Sequence, residues 1–354
     1  MYIYFIPYFL ICIMSILVYK KKMKRNTFLI ISLIILFLFA GLRGNGKGDY
    51  YAYIWAGKQI THITDIFNYR FPMEIGFRIL ALLQNALKLT PQGIIIFMAL
   101  LSTTLIYLII KKSKNYLISL IIFLPYFLQF DMHASRTAIA ACLASLSIYS
   151  YTKKAYKKTI LLFILAMSFH RSAIVVLIYP VLDFINRKLN EKKYNIIIFM
   201  SSLFFLVISV RDILFSLANL FPSFKLFNQL LSYLSSDKYG YALKIYDPRI
   251  ILAFLVFILL AIWLPEKNKN NRILYISSSA SLLLISILHF NTFLALRLSY
   301  FFAIYSIISI PEVIKYQLST NRNLGKLLTM GCVFIFFLYF AICAKGMINY
   351  QIFF

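Results

Sequence analysis

Acidic residues are scarce in this chain: its 354 residues include 11 Asp and Glu, against 37 Lys and Arg. All charged residues together make up 14% and hydrophobic residues 62%, whereas soluble domains average about 25% charged and about 45–50% apolar residues. This composition excludes a soluble globular protein, and it excludes a disordered chain because disorder requires low hydrophobicity. The aromatic content of 18% fits a bilayer protein with aromatic belts. The chain is predicted to be an all-α polytopic membrane protein.

Cysteine is also rare. The four cysteines all lie inside apolar runs and show no CxxC spacing, so they are interpreted as packing residues rather than as a disulfide or metal site: Cys12, Cys142, Cys332 and Cys343. No cofactor and no metal are expected. The N-terminal apolar run lacks the basic region and the small-residue cleavage site of a signal peptide, so it is interpreted as a retained span.

The net charge of +26 does not indicate a nucleic acid partner, because most basic residues form short clusters between apolar runs. Such clusters mark the cytoplasmic side of a membrane protein. The candidate apolar runs are 2–19, 27–42, 92–110, 116–130, 135–151, 159–182, 195–210, 250–264, 273–289, 293–310 and 327–344. The basic clusters place the linkers around 20–25, 111–114 and 153–158 inside and both the N-terminus and the loop 43–91 outside.

The run 159–182 is predicted to enter and return as two half-helices. If it crossed the membrane once, three linkers rich in basic residues would lie outside: 183–194, 265–272 and 311–326, which hold ten Lys and Arg in 36 residues. Three segments with fewer basic residues would then lie inside: 211–249, 290–297 and 345–354, which hold seven Lys and Arg in 57 residues. The positive-inside rule favours the reverse. We therefore expect about ten transmembrane helices plus one re-entrant pair, in a single integral membrane domain 1–354 with outer loops 43–91 and 211–249.

The first candidate site motif is LRGNGKGDYYAYIW at 42–55. Its three glycines end the preceding span and allow close backbone approach to a ligand. Arg43 and Asp49 flank this turn, and Tyr50 and Tyr53 follow it, a combination that suits a sugar. The alternative is an ordinary interfacial loop with an aromatic belt.

Two further outer motifs carry charge. In FPMEIGFR, Glu74 and Arg78 are four residues apart and would be neighbours on one helical face, which a local ion pair explains without any function. In DMHASR, Asp131 and His133 precede Arg136, which begins a helix. An arginine at membrane depth is costly unless it meets an anion, and its planar fork suits a phosphate.

Charge also interrupts the later apolar runs. FHRS puts His170 and Arg171 in the middle of 159–182, although a lone histidine in such a run is commonly a satisfied core residue. ALRLSYFF places Arg297 one turn from Tyr300. SDKYGYALKIYDPR at 236–249 adds Tyr239, Tyr241 and Arg249 as candidate site residues. Snorkelling of the Arg249 side chain towards water explains its position equally well without any function.

The order of these motifs resembles a known family. R-x5-D-Y-x2-Y on the outer side, E-x-G-F, an Arg that opens a span, FH-x-S and R-L-S-Y-F near the end are similar to the EpsG-like, Wzy-type O-antigen or capsular polysaccharide polymerases of bacterial envelopes. One departure is Thr137, where the family often has Gln after the Arg. The resemblance implies a GT-C-like, metal-independent glycosyltransferase in the bacterial cytoplasmic (inner) membrane, with its active site facing the periplasm or exterior.

The resemblance also implies the substrates: a glycan on undecaprenyl pyrophosphate as donor and a lipid-linked repeat unit as acceptor, with a chain-length regulator as an open question. Leaving pyrophosphate develops negative charge that arginines stabilise, and the attacking sugar hydroxyl needs a base. The expected roles are catalytic for His170, Asp49 and Glu74; pyrophosphate binding for Arg136, Arg297, Arg43 and Arg171; and glycan binding for Tyr50, Tyr53, Arg78, Tyr239, Tyr241, Arg249 and Tyr300.

Three alternatives stay open at this point. An O-antigen ligase-like glycosyltransferase uses the same chemistry. A lipid-linked glycan flippase also needs many spans and a basic cavity, but usually shows internal repeats, and none is found here. A membrane acyltransferase would place its histidine near a tunnel entered from the cytoplasm.

Overall fold

A computed structural model describes residues 2–46, 48–68, 70–220, 240–264 and 269–353. Over these ranges the chain is helical and has no strand, with one isolated antiparallel bridge between Arg43 and Ile352. The α-helices are α1 (Phe5–Tyr19), α2 (Arg25–Gly41), α3 (Tyr50–Gln59), α4 (Ile75–Ala86), α5 (Gly93–Ile110), α6 (Tyr116–Tyr126), α7 (Ser135–Thr152), α8 (Tyr156–Phe169), α9 (Ile178–Lys188), α10 (Glu191–Val207), α11 (Arg211–Leu220), α12 (Pro248–Trp263), α13 (Lys269–Ile287), α14 (Thr292–Ala303), α15 (Ser306–Thr320) and α16 (Arg322–Lys345). Short 3-10 turns cover Tyr2–Tyr4, Ile63–Phe67 and Arg171–Leu177, and a π turn covers Phe127–Asp131.

Polar linkers end in residues that cap the following helix. The side chains of Asn115, Asn190, Asn291 and Asn321 each accept an N–H from the residue three positions later. Asparagine satisfies one of the unpaired N–H groups at a helix start, so these linkers fix where α6, α10, α14 and α16 begin.

Prolines inside two helices leave backbone carbonyls to be satisfied elsewhere. Pro311 lies within α15 and has no N–H for the carbonyl of Ile307. That carbonyl instead accepts the hydroxyl of Ser119 from α6 at 2.7 Å, which ties α15 to α6. Pro125 lies near the end of α6 and is followed directly by the π turn that ends at Asp131.

The described helices pack into two compact units, Met1–Ala173 with Ser306–Phe354, and Ile174–Tyr305. In the first unit α7 packs on α8 and α5, and α16 packs on α6 and α15. In the second unit α13 is central and packs on α14, α12, α10 and α9.

The loops of the first unit gather at two ends. At one end, Lys112 lies over the ring of Tyr149, and the hydroxyl of Ser147 donates to Thr159 O. At the other end, Asp49 N–H donates to His133 O. The 18 residues of α7 span about 27 Å between these ends. The basic linkers 111–114 and 153–158 therefore share one end, and the described residues 43–46 and 48–50 share the other with 131–136.

The second unit has the same two-ended arrangement. Arg272 Nε donates a hydrogen bond to Asp183 Oδ1 at 2.8 Å. This bond brings the end of α9 next to the start of α13. Past the far end of α13, Leu243 N–H donates to His289 O, and Thr292 N–H donates to Tyr241 O. Segments 183–194 and 269–272 are thus at one end and 240–249 at the other, which agrees with the predicted topology for the described part of this unit.

The described helices confirm the prediction of an all-helical protein with several apolar helices, as a polytopic membrane protein requires. The number of ten spans stays a prediction. Three described helices, Tyr2–Tyr19, Gly93–Ile110 and Arg322–Lys345, are each long and apolar enough to cross a bilayer, or four if α14 and α15 form one broken span. The predicted run 293–310 is interrupted, because α14 ends at Ala303 and Tyr305 N–H donates to Phe302 O before α15 begins, and whether it forms one span stays a prediction. The run 159–182 is broken at His170, where α8 ends.

Candidate functional site

Asp49, Glu74 and Arg136 come together at the non-basic end of the first unit. Arg136 Nη1 forms a charge-assisted hydrogen bond with Glu74 Oε2, and its Nη2 lies 3.7 Å from Asp49 Oδ2. The side chains of Arg136 and Glu74 are 11% and 12% exposed, and that of Asp49 is 25% exposed. One guanidinium thus lies between two carboxylates in a largely buried position. The three residues come from three separate sequence motifs.

Tyr53 forms the floor of this cluster. Its hydroxyl donates to Asp49 Oδ2 at 3.1 Å and accepts from Arg136 Nε at 3.4 Å, and Arg136 lies over its ring, 5.4 Å from the ring centroid. Burial, with the nearby Asp49 carboxylate, raises the pKa of Tyr53 to about 12, and Arg136 opposes this only in part. Tyr53 is therefore a neutral hydrogen-bond donor at physiological pH, and it orients Asp49 from below.

A glycine turn places Asp49. Gly48 has φ +67, and a Cβ there would lie 2.7 Å from His133 O. This left-handed conformation costs little only for glycine. It lets Asp49 N–H reach His133 O at 3.0 Å, and Asp49 is then the N-cap residue of α3.

A second glycine places Glu74 beside α8. A Cβ on Gly76 would lie 2.9 Å from both Ser168 O and Ser168 Oγ, so only glycine lets α4 approach α8 this closely. Glu74 lies just before α4 in extended conformation, and its Oε1 accepts the backbone N–H of Arg171 at 3.3 Å. Glu74 therefore contacts both Arg136 and the break after α8.

The side-chain pair of Glu74 with Arg78 stays a prediction. Glu74 is the residue before α4, and its backbone carbonyl accepts the N–H of Arg78 at 3.2 Å. The guanidinium of Arg78 is buried and donates to the carbonyls of Met73, Ile66 and Phe71, each at 2.7 Å. It holds the loop before α4 against the helix, and its role in glycan binding stays a prediction.

His170 is the residue at which α8 ends, with extended backbone and a nearly buried side chain. Ser172 N–H donates to its Nδ1 at 3.2 Å. An imidazole that accepts at Nδ1 carries its proton on Nε2 when it is neutral. In that tautomer His170 can donate a hydrogen bond from Nε2, and its role as the catalytic base stays a prediction.

Arg171 follows at the mouth of a cavity of 170 Å³ lined by Ile66, Phe67, Glu74, Ile75, Arg78, Met167, Ser168 and Arg171. Its side chain is exposed, and within the described part of the chain its guanidinium makes no hydrogen bond or ion pair. A cation in this state, close to the Arg136 cluster, can accept an anionic group without giving up an existing partner.

Arg43 and Tyr50 lie beneath the glycine turn. Arg43 is 2% exposed and donates to Ala40 O at 3.1 Å and Asp131 O at 3.3 Å. Tyr50 is also buried, and its hydroxyl donates to Gln92 Oε1 at 2.9 Å. Both side chains support the loop from inside, so their predicted contacts with substrate remain untested.

The remaining predicted residues lie in the second unit. Arg297 lies over the ring of Phe293, 3.6 Å from its centroid, and Tyr300 is buried. Arg249 donates to Asp247 and, at 3.0 Å, to the hydroxyl of the exposed Tyr241. Tyr239 lies outside the described residues, and how these side chains relate to the Arg136 cluster stays a prediction.

The sequence analysis missed the C-terminal segment, which lies along the glycine turn. Gln351 O accepts Gly44 N–H at 2.7 Å, and Phe353 N–H donates to Leu42 O at 2.8 Å. Nothing in the local sequence of this segment signals such pairing, because the paired residues are more than 300 positions apart in the chain. It also missed the close contact at Gly76, for which a lone glycine in an amphipathic helix is the usable signal.

Comparison with known proteins gives one match. The family model described as the EpsG family matches residues 26–353, nearly the whole chain. No curated protein and no solved structure shows significant similarity to it.

Proposed function

Because the chain belongs to the EpsG family, whose members are associated with polysaccharide polymerisation, we propose that it is a polysaccharide (O-antigen or capsule) polymerase at the outer face of the bacterial inner membrane. It transfers a glycan from undecaprenyl pyrophosphate to a lipid-linked repeat unit. The observation that carries the proposal is the arrangement of Arg136 between two carboxylates, with Arg171 beside them, whose guanidinium has no partner among the described residues.

In the proposed reaction a hydroxyl of the acceptor sugar attacks the anomeric carbon of the donor glycan. The bond between that carbon and the pyrophosphate oxygen breaks, and its electron pair leaves with the pyrophosphate. Arg136 and Arg171 stabilise the negative charge that develops there, as preorganised cations do. Arg297 is kept as a further candidate for the same role. Since the guanidinium of Arg136 already supplies positive charge between the carboxylates, the proposal requires no metal.

Asp49 is the preferred base. Both oxygens of Glu74 are already occupied, one by the guanidinium of Arg136 and one by the N–H of Arg171. Asp49 is the more exposed of the two and lies farther from the guanidinium. We assign Glu74 to orienting Arg136, and His170 to hydrogen bonding a phosphate or sugar oxygen through Nε2–H.

The glycan is proposed to contact aromatic and charged side chains of each unit. In the first unit Tyr53 is buried and acts only through its hydrogen bond to Asp49, and in the second unit Tyr241 presents an exposed ring. Aromatic faces next to polar groups bind sugar rings through apolar contact combined with hydrogen bonds.

A deletion strain tests the function. Gel analysis of its surface polysaccharide is expected to show a single lipid-linked repeat unit, and the wild-type gene is expected to restore the polymer. Arg136→Ala should fail to restore it at matched expression, whereas the control Arg322→Ala, an exposed arginine at the start of α16, should succeed. Polymer that accumulates without transfer to lipid A would indicate a ligase instead, and unchanged polysaccharide would refute both.

A further inference from the structure

The cavity beside Glu74 has one charged end and one apolar wall. Glu74 and Arg171 lie at the charged end, and Ile66, Phe67, Ile75 and Met167 form the wall. A volume of 170 Å³ is enough for a five-carbon unit, since a cavity of about 150 Å³ holds benzene. The cavity fits the junction of an amphiphile, where an anionic head meets an apolar chain.

An apolar strip on α8 leads away from this cavity. Ile160, Leu161, Ile164 and Leu165 are all at least 40% exposed, and their spacing puts them on one helical face. The strip ends one turn before Ser168, which lines the cavity. From Ile160 to Ser168 the helix rises about 12 Å, so a linear chain that leaves the cavity along α8 remains on apolar side chains.

The charge of the cavity mouth decides what kind of head group fits. Arg171 is exposed and unpaired within the described residues, while Glu74 is already bound to Arg136. A phosphate head is attracted to Arg171 and next to it to Arg136, and phosphate accepts the planar fork of arginine. A cationic head group would find no unpaired carboxylate here among the described side chains.

We propose that this cavity holds the first isoprene unit of the lipid carrier, with Arg171 on its pyrophosphate and the rest of the chain along the exposed face of α8. The choice of a polyprenyl carrier over an ordinary phospholipid rests on the proposed function. The arrangement would aim the sugar of the donor at Asp49 and Arg136, because Glu74 contacts both the cavity and that cluster.

Photocrosslinking of purified protein tests the proposal without requiring catalysis. p-Benzoylphenylalanine replaces Phe67 at the cavity wall or, as a control, the equally apolar and exposed Phe9 on α1. The protein is placed in phosphatidylcholine nanodiscs with radiolabelled undecaprenyl pyrophosphate. We expect saturable labelling at position 67 and not at position 9, removed by unlabelled undecaprenyl pyrophosphate but not by phosphatidylglycerol.

Cavity-filling variants add a second measurement. Met167→Trp and Ile75→Trp should each lower labelling at position 67 about tenfold, the factor that corresponds to 1.4 kcal/mol of lost contact. Tyr156→Trp, at the other end of α8 and outside the cavity, should leave labelling unchanged. Equal labelling at position 9, competition by phosphatidylglycerol, or undiminished labelling in both filled variants would overturn the proposal.

The two proposals fail separately. If the wild-type protein makes polymer but labelling at position 67 is nonspecific, the cavity assignment is wrong and the polymerase stands. If labelling is specific but no polymer is made from a lipid-linked repeat unit, the lipid site stands and the polymerase is wrong.

Discussion

Replacing Gly76 by alanine tests how α4 is held against α8. The added Cβ would lie 2.9 Å from Ser168 O and Oγ and 3.0 Å from Phe169 Cδ2. Carbon contacts in proteins are optimal at about 3.5–4.0 Å, so α4 has to move away by roughly 0.5 Å. Ser168 O is a backbone atom and cannot rotate aside, which means that the helices themselves must separate.

The expected loss of stability follows from two opposing effects. Overpacking costs about 1–3 kcal/mol, and alanine in a helix gains about 1 kcal/mol over glycine. Gly331 in α16 provides the matched control, because a Cβ there meets nothing within 4 Å. Gly331→Ala should be neutral or stabilising, so the two variants should differ by about 1–3 kcal/mol in unfolding free energy.

Activity should fall further than stability. Gly76 lies two residues after Glu74, and separation of α4 from α8 moves Glu74 away from Arg171 and changes how it holds Arg136. A misplacement of about 1 Å can cost about 10²-fold in rate. Thermal unfolding in detergent and polymer synthesis, measured for both variants at matched protein amounts, check this. A Gly76→Ala protein as stable and as active as Gly331→Ala would refute the packing argument.

Four further predictions concern charge, protonation and topology. Arg136→Ala should lower polymer synthesis by about 10²–10³-fold and Arg136→Lys by less, because a point charge cannot reproduce the planar fork; equal activity of both with wild type in a membrane assay would remove Arg136 from the site. His170→Gln should keep substantial activity, since Gln can accept from Ser172 N–H and donate onward, whereas a folded but inactive His170→Gln protein would return the base to His170. The folded-state pKa of Tyr53, raised from 10 to about 12, contributes stability that is present below pH 10 and is lost as pH rises towards 12, roughly 2–3 kcal/mol; melting curves across this range should therefore fall less steeply for Tyr53→Phe, and identical slopes would contradict the assignment. In a cysteine-free background, a membrane-impermeant thiol reagent added to whole cells should label Tyr246→Cys and not Asn190→Cys, and the opposite pattern would reverse the topology.

The helical elements were predictable because composition and helix-start residues act locally. Arg136 at the start of α7 and the break at His170 both appear where the sequence indicates them. The break between α14 and α15 was not predicted, because hydrophobicity is continuous across residues 304 and 305 and nothing in composition marks it.

The candidate site was predictable in its members and less so in its geometry. Asp49, Glu74 and Arg136 were each recognised as outer-face charges, but their pairing depends on the close contacts at Gly48 and Gly76. The N–H of Ser172 reaches Nδ1 of His170 only because the backbone turns at the end of α8. Such contacts join parts of the chain through tertiary packing or local backbone geometry, which periodicity and spacing do not specify.

Polymerisation by the purified protein tests the central claim most directly. The wild-type protein, Asp49→Asn and Arg136→Ala are reconstituted in liposomes with an undecaprenyl-pyrophosphate-linked repeat unit, without nucleotide sugar and with a chelator present. Gel analysis should show a ladder of increasing repeat number for the wild-type protein and only the starting unit for the two variants, each of which must elute and melt as a folded protein. A wild-type protein that makes no ladder, or variants that make the same ladder as the wild type, would contradict the account.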